Sequence, residues 1–320
     1  MKNASKAISV AWMLVLSSAL LAQAQGPAGA AAPALNPLKV ALLHWYSANT
    51  TTSFAVGSTP YGVCFDGANI WVANYGGSSV TKLRAADGAV LGTFTVPLGP
   101  YGCAFDGANV WVTGSVDGNV TKLRASDGKN LGTFTVGKLP FWLAFDGANI
   151  WVANADYTDN TVTKLRASDG KNLGTFPVGI SPMGVAFDGA NIWVTNYGGG
   201  TVSKLRASDG ALQGTFTVGF RPLGIAFDGA DMWVANRDGG SVSKLRASDG
   251  TVLGTFTVPG SPYGIVFDGT NIWVGGSPYL QELRASDGTM LLELGPLNIG
   301  GMAFDGANVW ATSSNAVNKY

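Results

Sequence analysis

Seven times the chain returns to one phrase, Phe-Asp-Gly followed by Asn or Asp and then by tryptophan, beginning at Phe65, Phe105, Phe145, Phe187, Phe227, Phe267 and Phe304. The intervals are 40, 40, 42, 40, 40 and 37 residues. A unit of this length, rich in β-branched and aromatic residues and broken by Gly, Pro, Asn and Asp, holds four short strands. One such sheet cannot bury its faces alone, so the units must stack on each other. The expectation is an all-β, seven-bladed β-propeller of four-stranded antiparallel blades over 51–320.

The stretch from Leu212 to Ser248 serves as the type unit. Strands are predicted over Gln213 to Val218, Gly224 to Phe227, Met232 to Asn236 and Ser241 to Ala247, with Asp228-Gly229 turning the second into the third. Pro177 lies inside the first strand of its own unit, and proline is tolerated in sheets chiefly on an edge, so that strand is read as the outer one. Thr51 to Val56 aligns with Leu91 to Val96 as an additional outer strand, whereas Ala316 to Tyr320 aligns with a third strand and has no outer strand after it. The N-terminal strand is therefore predicted to complete the last blade and remove the seam between the chain ends.

Ahead of the repeats, Lys2 and Lys6 precede an apolar run from Ala7 to Leu21 and the small residues Ala22-Gln23-Ala24. This is the pattern of an export signal over 1–24, shorter than the ~20 apolar residues of a membrane span. A Gly/Ala/Pro linker over 25–35 and a short helix over 36–47 follow as expectations. Export places the protein outside the cytoplasm, secreted or periplasmic, with no transmembrane segment after cleavage. Charge is sparse and balanced, 20 basic against 20 acidic residues, which offers no basic field for nucleic acid.

Pro-Met-Gly-Val-Ala-Phe-Asp at 182–188 and Trp-Val-Thr-Asn-Tyr-Gly-Gly-Gly-Thr-Val-Ser-Lys-Leu at 193–205 resemble the repeats of YVTN and NHL-type β-propellers. The resemblance covers 51–320 and implies the fold of bacterial periplasmic and archaeal surface-layer proteins, shared with streptogramin B (virginiamycin B) lyase. A lyase of that type would use histidines and a glutamate to supply a base and hold magnesium. Here the single histidine, His44, lies outside the repeats, and the two glutamates, Glu282 and Glu293, fall in or beside strands of degenerate units. No catalytic residue is carried over, and no cofactor or metal is expected.

Within the repeats, the tryptophans from Trp71 to Trp310 are read as packing between blades, and the aspartates of Phe-Asp-Gly and Ser-Asp-Gly as turn formers. The Lys-Leu-Arg segments are expected to set charge on an outer strand, where the arginine meets the following Asp and the edge is protected. Cys64 and Cys103, offset by one position on neighbouring inner strands, are read as buried thiols that either face each other or turn apart.

Departures from the repeat carry the functional reading. Trp142, preceded by Phe141, stands where other units have glycine, and the loop containing Asp156, Tyr157 and Asp159 is the longest of its kind. Arg221, Arg237, Asp238 and Tyr279 occupy equivalent loops on what should be one face of the ring. Seven of the nine tyrosines fall in the two loop classes of that face: Tyr61, Tyr75, Tyr101, Tyr157, Tyr197, Tyr263 and Tyr279. Tyrosine with scattered Arg and Asp suits recognition of a protein or glycan. The expectation is a monomeric, non-catalytic binding scaffold at the cell envelope. Two alternatives stay open, a hydrolase or lyase using Asp156, Asp159 and Asp238, and a structural envelope component.

Overall fold

The computed structural model describes residues 52–320, and the expected signal, linker and helix all lie outside them. Within this span the chain forms seven four-stranded antiparallel sheets, each running from an inner strand at the axis to an outer strand at the rim. Blade 1 begins with inner strand Pro60–Phe65, followed by Pro100–Phe105, Pro140–Phe145, Pro182–Phe187, Pro222–Phe227, Ser261–Phe267 and, in blade 7, Met302–Phe304. Closure is as the strand count requires. Ser53–Ala55 is the outer strand of blade 7, with Phe54 opposite Val317 on the third strand Ala316–Lys319. Pro177 ends an outer strand, Asn172–Pro177. Among the described residues no helix is long and apolar enough to cross a membrane.

Six of the seven blade interfaces repeat one set of contacts. Trp71, Trp111, Trp151, Trp193, Trp233 and Trp310 are completely buried. The Asp of each Phe-Asp-Gly does more than form a turn: in blade 5, Asp228 accepts the backbone N–H groups of Ala230 and Asp231 on one oxygen and the Trp233 indole N–H at 2.7 Å on the other. A single carboxylate thus closes the tight turn and fixes the ring. The indole then lies against an outer-strand phenylalanine, as in Trp193–Phe216 with centroids 5.7 Å apart.

The lysines depart from expectation. They stand on the third strand, opposite the tryptophans in register, and face the next blade instead of the rim. Lys204 is 7% exposed; its ammonium sits 5.1 Å from the Trp193 ring centre and donates to the carbonyls of Ala247 at 2.6 Å and Ser248 at 3.0 Å in blade 5. Lys82, Lys122, Lys164, Lys244 and Lys319 reach the following blade in the same way. The third strand is packed on both faces, with 202–205 all buried, so only the arginine that ends it is left outside. Those arginines do meet the expected aspartates, as in Arg206–Asp209 at 2.9 Å.

One interface lacks the set. In blade 6, Glu282 replaces the lysine opposite Trp273, Leu294 replaces the phenylalanine, and Trp273 is only half-buried. Blade 7 receives its outer strand from the other end of the repeat region, so it has no third-to-outer turn whose carbonyls a lysine could reach. The loss of donor and acceptor coincide. Blades 6 and 7 meet instead through Leu280, Ile299, Ala311 and Tyr320.

Candidate functional site

Two loop classes open on one face, here called the variable face: those entering the inner strands and those after the second strands. The opposite face carries the repeated Asp-Gly turns. At the variable face the inner strands of blades 1 to 6 begin with a bulge against their neighbours, placed in blade 1 between Pro60 and Val63 and in blade 3 between Pro140 and Leu143. A bulge adds one unpaired residue and re-aims the side chains on it. The residues so placed are Tyr61, Tyr101, Phe141, Met183, Leu223 and Tyr263, with Gly300 at the corresponding place in blade 7.

The next position explains its own glycines. A Cβ on Gly62 would come within 2.3 Å of the Tyr101 carbonyl oxygen of the neighbouring blade, and one on Gly224 within 2.5 Å of that of Tyr263. Blade 3 alone places a side chain there, and Trp142 reaches into the axial channel. Its ring meets Tyr101 of blade 2 edge-on at 5.0 Å and Tyr263 of blade 6 at 5.6 Å. Tyr101 stacks on Tyr61 at 4.5 Å, Phe141 meets Tyr101 edge-on at 4.4 Å, and the Tyr101 and Tyr263 hydroxyls hydrogen-bond to each other. Together these rings plug the mouth of the channel, above a cavity of about 160 Å³ lined by glycines, Val63, Cys103, Ile225 and Met302.

Burial, reinforced by Tyr263, pushes the Tyr101 phenol far above its ordinary value, and burial pushes Tyr263 up to about 12. Both phenols are neutral at physiological pH. They offer hydroxyl donors and flat apolar faces, not a base.

The other sequence candidates fall into separate groups. Arg221 pairs with Asp238 at 2.7 Å and lies 5.3 Å from the Tyr197 ring centre, while Arg237 donates to the Tyr197 hydroxyl at 3.1 Å and stands 3.6 Å from Asp238. Asp238 raises the Arg221 pKa through this bond. In blade 3, Asp156 accepts the Thr158 amide at 2.8 Å, and Asp159 accepts the Lys138 amide at 3.1 Å. The Thr158 bonds hold the Asp156 carboxyl below its usual range. Tyr157 projects from this loop, 70% exposed. Tyr279 is half-buried beside Gly295, away from these groups. Asp156 and Asp159 are thus engaged within their blade and Asp238 by arginine, and among the described residues no three His, Cys, Asp or Glu side chains converge as a metal site.

Two features of this face were not singled out in the sequence. A cavity of about 460 Å³ opens where blades 6, 7 and 1 meet, bounded by Tyr61, Tyr263 and Arg237 and rimmed by Ser261, Ser277, Asn298 and Ser313. Across blades 2 to 5, by contrast, the loops expose Leu98, Val116, Leu139, Ile180 and Phe220. The short sixth interval and Gly300 in place of a large side chain were the sequence signals for the cavity. The sequence places Tyr61, Tyr101 and Tyr263 on this face, but since they obey the repeat it does not show that they meet at the axis.

The seven-bladed fold is similar to that of several solved proteins. Streptogramin B lyase superposes with a TM-score of 0.72 at 18% identity, covering 83% of this chain and 95% of that one. Virginiamycin B lyase from Staphylococcus aureus gives 0.70 at 17%, over 83% of this chain and 98% of that one. Hydrazine synthase from Kuenenia stuttgartiensis gives 0.69 at 17%, over 83% and 97%. No family model and no curated protein matches the sequence. At these identities the likeness establishes the architecture, and function has to be argued from the site.

Proposed function

We propose that this protein is an exported, non-catalytic recognition scaffold of the YVTN/NHL repeat type, which binds a protein or glycan of the cell envelope on its variable face. One observation carries the reading. In a framework that, outside the interface of blades 6 and 7, repeats almost residue for residue, the variable face is asymmetric: an exposed apolar arc over blades 2 to 5, a plug of aromatic rings at the axis, and a hydroxyl-lined cavity over blades 6, 7 and 1. Packing between blades demands none of these differences, and binding residues gather on loops carried by rigid scaffolds. The apolar arc suits a macromolecular surface, since exposed apolar patches rimmed by polar groups mark interaction sites. The carboxylates that a hydrolase or lyase would need are tied to their own loops or to arginine.

The full chain, screened against glycans and cell-envelope fractions, is expected to retain a partner that the variants Phe220→Ser and Leu98→Ser lose while melting normally. Turnover of any retained molecule, or binding indifferent to every variable-face substitution, overturns the proposal. A second, structural reading rests on the leucines exposed on the outer strands, Leu91, Leu131, Leu173, Leu253 and Leu291, which would let rings pack rim to rim. Concentration-dependent self-association in sedimentation, removed by Leu131→Ser and Leu173→Ser, would favour it.

A further inference from the structure

We propose that the cavity at the junction of blades 6, 7 and 1 binds a carboxylate-bearing saccharide. This rests on the reading of the variable face as a recognition surface and assigns that surface a ligand class. The cavity exists because blade 7 carries Gly300 where other blades carry Tyr61, Tyr101, Phe141, Met183, Leu223 and Tyr263. A Cβ on Gly300 would stand 2.7 Å from the Thr312 hydroxyl, which is itself committed to the Tyr61 carbonyl at 3.0 Å, so even a small side chain disturbs the wall. The space falls beside the one interface without a lysine clamp. Its volume, about 460 Å³, lies within the roughly 300–1,000 Å³ of small-molecule sites.

The lining defines the chemistry. Tyr61 and Tyr263 present half-buried rings 6.5 Å apart and 26° from parallel, a flat apolar wall suited to the C–H face of a sugar ring. Opposite them, Ser277 and Asn298, hydrogen-bonded to each other at 2.6 Å, and the hydroxyls of Ser261 and Ser313 supply the donors and acceptors that a polyol needs. Among the described residues Arg237 is the only Lys, Arg, Asp, Glu or His on the wall. With Arg221 and Asp238 it forms a cluster of net charge +1, counted as two guanidinium groups and one carboxylate. The Tyr197 hydroxyl holds its guanidinium in place, and such a planar group matches a carboxylate with two parallel hydrogen bonds. One positive charge, two aromatic faces and a hydroxyl rim select a uronic-acid sugar over a neutral one and over an apolar ligand.

Calorimetric titration of the full chain with galacturonate and glucuronate dimers, beside the corresponding neutral disaccharides, tests this. The acidic sugars are expected to bind at least about tenfold more tightly. Arg237→Gln should bring that ratio to about one with unchanged melting, and Ser277→Tyr, at an exposed position facing the cavity, should abolish binding of both. Equal affinity for acidic and neutral sugars, an acid preference that survives Arg237→Gln, or no binding of any saccharide overturns the assignment. If an envelope partner is still lost with Phe220→Ser and Leu98→Ser in that case, the recognition reading stands and only the sugar falls. Loss of both removes the two together.

Discussion

Replacing Lys204 by methionine isolates what the buried lysine contributes between blades. Methionine keeps the unbranched stem against Trp193 and removes only the charged head. The head makes hydrogen bonds to two carbonyls, at 2.6 and 3.0 Å, and a contact with the indole face at 5.1 Å. Hydrogen bonds that involve a charged group contribute about 1.5–3 kcal/mol each, and a partly desolvated cation over an aromatic ring adds about 1–2 kcal/mol. Opposing them is the penalty for burying an ammonium, several kcal/mol after relaxation. Two carbonyls left without their donor tip the balance, and we expect Lys204→Met to destabilise by about 2 kcal/mol. For a chain of this size that corresponds to a fall of roughly 3–4 °C in melting temperature. Urea unfolding should show the midpoint moving with an unchanged slope. Glu282→Met, at the interface with no acceptor turn, gives up one half-buried hydrogen bond, from the Asn271 amide at 2.7 Å, and should cost less, about 1 kcal/mol. Equal or greater stability in Lys204→Met would refute the argument, because desolvation would then outweigh the contacts.

Phe54→Ala removes the closing strand's ring, which lies 5.4 Å from Trp310, and should destabilise by roughly 3 kcal/mol, with the opened ring associating in sedimentation. Acid should act through Asp66, Asp106, Asp188 and Asp305: burial works to raise their pKa values, but the tryptophan, backbone and asparagine N–H groups lower them further than burial raises them. Their contribution is complete above the unfolded value of about 4 and is lost as pH falls through the lower folded values, so the unfolding midpoint should hold near neutrality and drop below about pH 4. Burial, then the neighbouring Cys103, pushes the Cys64 thiol well up, and both cysteines lie in the core between blades 1 and 2. Iodoacetamide at pH 8 should therefore spare both in the native protein and label both after unfolding, read by mass spectrometry. Trp142→Gly should leave cooperative unfolding intact while opening the channel mouth, seen as loss of the exchange-protected Tyr101 and Tyr263 hydroxyl signals in NMR.

The architecture was legible because repetition makes strand spacing, edge proline and closing strand mutually consistent. Phe141 and Trp142 stood out for the same reason, being departures from a pattern that neighbours obey. What stayed hidden depends on partners about 40 residues away. Whether Lys204 faces water or Ala247 is settled by the fit of adjacent blades, which no local pattern encodes. Tyr61, Tyr101 and Tyr263 were placed on the right face as loop residues, but only the bulge shows that they turn toward the axis and meet across the ring. The large cavity is the product of a missing side chain at Gly300 and of loops from four blades. Arg221, Arg237 and Asp238 were chosen one by one from their loops, and the structure joins them through Tyr197, while Tyr279 shares only their face.

The pairing of Phe54 with Val317 sets an order of events for biosynthesis. Synthesis delivers the first of these strands long before the second, and bringing together segments about 260 residues apart costs on the order of 5 kcal/mol in chain entropy. Blades 1 to 6 can form as they emerge, but Ser53–Ala55 must wait with its edge unpaired until Ala316–Lys319 arrives. A chain released before Ala316–Lys319 is made would therefore leave a ring with a gap, and that strand acts as the latch on the whole circle.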